Sequence, residues 1–244
     1  MKWLFAPPSA DDLAHLLRAW RFWVLGTLVG ALLGTVVYYL FPPVYRARAT
    51  VVVDFNLEQA WPQDTDRQLF YYLERETRKL EEIAWSDATL EKVASRAGDV
   101  SVSELRSGRL LLSQPGESGW HFWANDPDPS RAAQLASAWA EAFNEQVQQG
   151  VVAAMQLEAL HASLQAGCNC QNDPDLQIEI KELESRASGI SPYIQVNASQ
   201  VTEVPITRSI GLGTYTIAGA LGILVLSTFS ILFFSHHELH HASE

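Results

Sequence analysis

Two stretches of this 244-residue chain carry no charge at all, and they decide most of what it can fold into. One runs from Phe22 to Tyr45, the other from Ser209 to Ser235. A bilayer core of about 30 Å takes about 20 apolar residues of helix. Phe22–Phe41 offers 20 residues and Ile210–Phe234 offers 25, so each is long enough to cross. Mean hydropathy is near zero only because these stretches are averaged with an acidic segment between them. Residues 42–208 hold 24 Asp and Glu against 14 Lys and Arg, nearly all of the chain's net charge of −11. That balance excludes a nucleic-acid binder, which must neutralise a phosphate backbone. Abundant apolar residues and eight Trp exclude a disordered chain.

The expected organisation is a cytoplasmic segment 1–21, a transmembrane helix 22–41, an extracytoplasmic domain 42–208, a second transmembrane helix 209–235 and a cytoplasmic tail 236–244. The first span reads as a retained anchor, because Leu40-Phe41-Pro42-Pro43 offers no small-residue cleavage site for a signal peptidase. Lys2, Arg18 and Arg21 precede it and favour a cytoplasmic N-terminus in the cell (inner or plasma) membrane. Two crossings then return the C-terminus to the cytoplasm. Gly26, Gly30 and Gly34 stand four apart in the first span, and Thr214, Ala218 and Gly222 share that spacing in the second. In lipid such rows let helix backbones approach closely, which predicts packing of the spans within or between chains.

Between the spans, Tyr45, Ala47, Ala49, Val51, Val53 and Phe55 alternate with Arg46, Arg48, Thr50 and Asp54, the pattern of a half-buried strand. Helical patterns follow over 66–85 and from the cap at Ser86/Asp87 to a break at Gly98. Strands are expected at 109–113 and 120–124 around a turn-rich connection. A long helix then starts at Pro129 behind the cap Asp128 and runs to about Gly167, with Gly150 a candidate joint. A shorter helix restarts at Leu176, and 193–201 closes the domain as a last strand. The fold class is therefore α+β, with a short helical hairpin at about 151–189.

Several patterns invite chemistry and have plainer explanations beside them. Asp64-Thr65-Asp66, Asp126-Pro127-Asp128 and Asp173-Pro174-Asp175 spell the D-x-D of metal-dependent sugar transfer, yet each precedes a helix, where Asp is the expected cap. Cys168 and Cys170, at the hairpin tip, are free thiols, a local pair or a bridge between subunits. His236, His237, His240 and His241 form two i, i+4 pairs, a chelating spacing or a polar helix end. Trp61, Phe70, Tyr71, Tyr72, Trp85, Trp120 and Trp123 serve either the core or the faces of sugar rings. Arg46 and Arg48 are candidates for glycan or lipid-headgroup contact. No catalytic residue, cofactor or metal is assigned.

The order of parts resembles the chain-length determinant family (Wzz-like), the polysaccharide co-polymerases of bacterial surface-polysaccharide assembly. The similar pieces are Asp12–Trp20, a first span ending in Pro, and Pro43-Val44-Tyr45-Arg46-Ala47 opening a strand. Asn125-Asp126-Pro127-Asp128-Pro129-Ser130-Arg131-Ala132-Ala133 opening the long helix and a late second span complete the match. The resemblance implies a homo-oligomer without catalytic chemistry that governs how far a membrane polymerase extends a lipid-linked glycan, for O-antigen (lipopolysaccharide), capsule or exopolysaccharide. The chain departs from the family in having only Pro205 close before the second span. It ends nine residues after Ser235 with no phosphate-binding loop there, so a tyrosine kinase partner would be a separate polypeptide. The rival reading is a transmembrane adaptor that activates such a separate cytoplasmic tyrosine kinase for exopolysaccharide export.

Overall fold

The computed structural model describes residues 20–60, 66–98, 100–113, 119–165, 174–200 and 204–241. The fold is mixed and helix-dominated, with one small sheet and two long apolar helices. The chain divides into two compact units, Met1–Val44 with Thr207–Glu244, and Tyr45–Ile206.

The first unit is a helix pair. Helix α1 (Trp20–Leu40) ends just before Pro42-Pro43, where the restriction on residues preceding proline disfavours further helix. Its partner, the C-terminal helix Leu212–His241, has the length and apolarity to cross a membrane, as α1 has. Both helices hide their hydroxyls: Thr27 donates to the carbonyl of Trp23, Thr35 to that of Ala31, and Thr228 to that of Leu224. A hydroxyl satisfied within its own helix needs no water, which suits an apolar medium.

The second unit begins with β1 (Tyr45–Asp54), whose Ala47, Ala49, Val51 and Val53 are buried while Arg46, Arg48 and Asp54 are exposed. Helix α2 (Asp66–Ala84) and helix α3 (Asp87–Ala97) follow. Ser86 caps α3 by accepting from the Thr89 N–H, and Gly98 ends it at φ 61. A short turn then starts with a capping box between Ser101 and Glu104, whose S-x-x-E spacing sequence reading passed over. Gly108, at φ 101, turns the chain into β2 (Leu110–Ser113). Strand β3 is Gly119–Asp126, and helix α4 (Pro129–Gln165) is the longest element. Helix α5 (Pro174–Ala187) lies alongside it, β4 (Gln195–Gln200) closes the sheet, and α6 (Leu212–His241) ends the described chain.

The sheet order is β2-β3-β1-β4, with every pair antiparallel. Helix α4 packs on one face through fully buried Leu135, Trp139, Phe143 and Val147. Trp139 also donates its indole N–H to the Ala84 carbonyl at 2.9 Å, which ties the end of α2 into the core. Six buried alanines between Ala132 and Ala142 let α4 lie close to its neighbours.

Three details differ from the pattern-based expectation. Gly150 is no joint: α4 runs through it unbroken, and a Cβ there would stand 2.7 Å from Ile190 Cδ1. The glycine is a packing notch under the turn after α5. The last strand starts at Gln195 rather than Tyr193, because Ser188 and Gly189 adopt positive φ and the Ile194 N–H turns back to the Ser191 carbonyl. Helix α6 continues past residue 235 to His241, since nothing among Ser235–His241 breaks a helix.

Candidate functional site

Two surfaces stand out, and both are built by simple periodicities. In the helix pair, the four-residue spacing brings Gly30 and Gly34 to one face of α1, where both are buried. A Cβ on Gly30 would run into the Gly219 carbonyl, and one on Gly34 into the Tyr215 carbonyl. The backbones therefore touch, as small residues in lipid permit. On α6 the contact falls at Tyr215, Gly219 and Ile223, one residue along from Ala218 and Gly222. Ala218 and Gly222 are exposed beside the contact, and Gly222 has nothing within 4 Å of a would-be Cβ. Gly26 sits at the looser end, where a Cβ would stand 3.4 Å from Ile223 Cγ2. The Arg208 guanidinium lies 5.5 Å from the Tyr38 ring centroid, and Tyr38 meets Tyr215 edge to face.

The second surface is the face of the sheet that α4 leaves bare. Antiparallel register sets Arg46 opposite Asn125, Arg48 opposite Trp123 and Thr50 opposite His121. Each pair is joined across the strands. Arg46 Nε donates to Asn125 Oδ1 at 2.9 Å, and the Arg48 guanidinium lies 5.5 Å from the Trp123 ring centroid. Thr50 Oγ1 and His121 Nδ1 share a hydrogen bond of 2.9 Å. Partial burial, and next the charge of Arg48, hold the His121 pKa below its ordinary value. Among the described residues, the ion pairs involve other side chains than Arg46 and Arg48. Arg46, Arg48 and Thr50 were legible in the sequence, where alternation marked them as outward-facing, and Trp123 stood among the candidate sugar-stacking rings. His121 and Asn125 join them only through the register.

The D-x-D at 126–128 serves the backbone. Asp126 is buried, accepts the Asp128 N–H at 2.9 Å through Oδ1, and turns Oδ2 toward Arg109 at 3.5 Å. Asp128 accepts the Ser130 N–H and so caps α4. Trp85 and Trp120 pack on Trp139 and Phe143, and Tyr72 is buried, whereas Phe70 and Tyr71 are exposed. Trp61, Asp64, Asp173, Cys168 and Cys170 lie outside the described residues. The backbone of α6 spaces His236 from His240 and His237 from His241 by one turn. His161 lines a pocket of about 410 Å³ with Glu158, Glu184 and Tyr193. There the Tyr193 hydroxyl donates to Glu158 at 3.0 Å, and that carboxylate raises the phenol's pKa.

Glu76 escaped sequence reading. It sits in the apolar stripe of α2 between Tyr72 and Leu80, fully buried. Its Oε2 accepts the Ser191 N–H at 3.0 Å and its Oε1 accepts from Arg75 at 2.8 Å. With Lys79 donating to the Gly189 carbonyl, it pins the turn between α5 and β4. A charge inside a helix's buried stripe was the available signal.

No protein-family model matches the chain, and no curated protein matches it. Among solved structures it is similar to a full-length bacterial polysaccharide co-polymerase, at 13% identity and a TM-score of 0.42, over 96% of this chain and 100% of that one. Among the described residues, no group of three or more His, Cys, Asp or Glu side chains could hold a metal ion. The two surfaces are suited to binding: one joins helices through backbone contact, the other presents cations and an aromatic ring on an open sheet face.

Proposed function

We propose that this protein is a non-catalytic membrane scaffold that, as a homo-oligomer, sets the length or governs the export of a bacterial surface polysaccharide together with a membrane polymerase. Its termini face the cytoplasm and the α+β domain lies outside. One observation carries the reading. The first and last strands of the domain, β1 and β4, are antiparallel neighbours in a single sheet, so the chain enters and leaves the domain at the same end of that sheet. Each is followed or preceded in sequence by a helix apolar enough to span lipid, and those two helices meet backbone to backbone. A domain tethered at both ends in this way suits a scaffold, whose work is to hold partners in place. The order of parts shared with the chain-length determinants supplies the substrate class.

Deleting the gene should change the length distribution of a surface polysaccharide resolved on a gel, and the intact gene should restore it. An unchanged ladder overturns the proposal.

A further inference from the structure

We propose that the bare face of the sheet binds an acidic glycan, with Trp123 as the ring platform and Arg46 and Arg48 as the anion contacts. The choice of a sugar polymer rests on the scaffold role above; the rest comes from the face itself.

Charge is the first ground. The segment around this face holds 24 acidic and 14 basic residues, yet the face presents two exposed arginines whose described partners are an amide and an indole rather than carboxylates. On the outward side of β1 the acid is Asp54, at the far end of the strand, where it accepts the Asn56 N–H. A cationic strip on an otherwise acidic domain repels most acidic partners less than its surroundings do, and guanidinium groups take carboxylate or phosphate in a two-pronged hydrogen bond.

Chemistry beside the cations is the second ground. A fluid headgroup layer takes cations and interfacial aromatics in any arrangement and needs no fixed register between them. Here the cations alternate with an indole, an amide, a hydroxyl and an imidazole, each placed by the strand register. An indole gives an apolar plate with a polar edge, and the amide, hydroxyl and imidazole supply donors and acceptors for sugar hydroxyls. Four strands at a spacing of about 4.8 Å make the face about 14 Å across, an open strip rather than a closed pocket, which suits a polymer passing over it.

The test is titration calorimetry of the full-length protein in detergent with oligogalacturonate, an acidic sugar chain, and with neutral dextran. Oligogalacturonate should bind and dextran should not. The double substitution Arg46→Gln/Arg48→Gln should weaken binding at least tenfold, and Trp123→Ala should do so where Trp123→Phe loses less. Both arginines are exposed, so far-UV circular dichroism of the double variant should match the parent. Wild-type protein that ignores oligogalacturonate, or variants that bind it equally well, overturn the proposal. So does loss of binding to phosphatidylglycerol vesicles that oligogalacturonate cannot compete, which would make this a lipid-facing surface. A change in particle mass on Arg46→Gln/Arg48→Gln would make it a contact between copies and likewise overturn it. An altered polysaccharide ladder on gene deletion, together with no oligogalacturonate binding, overturns the surface and keeps the scaffold.

Discussion

At the scale of single residues, Glu76 shows how a charge is kept inside. Its carboxylate is fully buried, and the Ser191 N–H and the Arg75 guanidinium supply the hydrogen bonds that offset lost hydration. Glu76→Leu should leave the Ser191 N–H without its acceptor and cost about 1–3 kcal/mol. Glu76→Gln, which retains an acceptor oxygen, should cost less, and thermal melting of the two variants compares them. His121 behaves in the opposite sense to a salt-bridged histidine. Its pKa is lowered, first by desolvation and then by Arg48, so the folded protein resists the proton that the unfolded chain accepts near the ordinary value of 6.5. The unfolded state binds more protons as pH falls through that value, so stability is full above it and declines below. The melting temperature should therefore drop between pH 7.5 and pH 5.5, and His121→Gln should drop less.

At the scale of elements, the helix pair is decided by which small residues the partner covers. Gly30 and Gly219 face each other's backbone, so Gly30→Leu or Gly219→Leu must push α1 and α6 apart. The loss should be about 1 kcal/mol or more, since close packing is what holds such helices together in lipid. Gly222→Leu enters open space and should leave the pair's melting unchanged within a single chain. Melting of the three variants in detergent separates a specific notch from a general wish for glycine. Helix α4 makes the complementary point: its alanines and the notch at Gly150 let it touch the sheet and α5 at once.

At the scale of the whole molecule, the scaffold reading places the domain outside the cell, and the chain carries its own reporters. Cys168 and Cys170 are its only cysteines, and both lie in the segment between the apolar helices. After mild reduction of spheroplasts, a membrane-impermeant maleimide should label them without lysis. Labelling that requires lysis would place the domain in the cytosol. Native mass measurement of the gently solubilised protein should give a multiple of the 27.1 kDa chain.

Sequence alone determined which elements form and in what order, though not every boundary, because their signals are local. Alternation of Ala47, Ala49, Val51 and Val53 with Arg46, Arg48 and Thr50 marked β1 and its outward face. Charge-free runs marked α1 and α6, and Ser86, Gly98, Asp128 and Pro129 marked where helices start or stop. Tertiary structure decided everything that depends on which partner lies opposite. Gly219, not Ala218 or Gly222, meets Gly30, because the rotation of α6 about its axis is set by packing and not by spacing. Arg48 meets Trp123 across a gap of 75 residues in sequence, and Glu76 meets Ser191 across 115. A helix or strand pattern repeats every few residues and says which side is apolar; register and rotation are chosen only when two such surfaces close on each other.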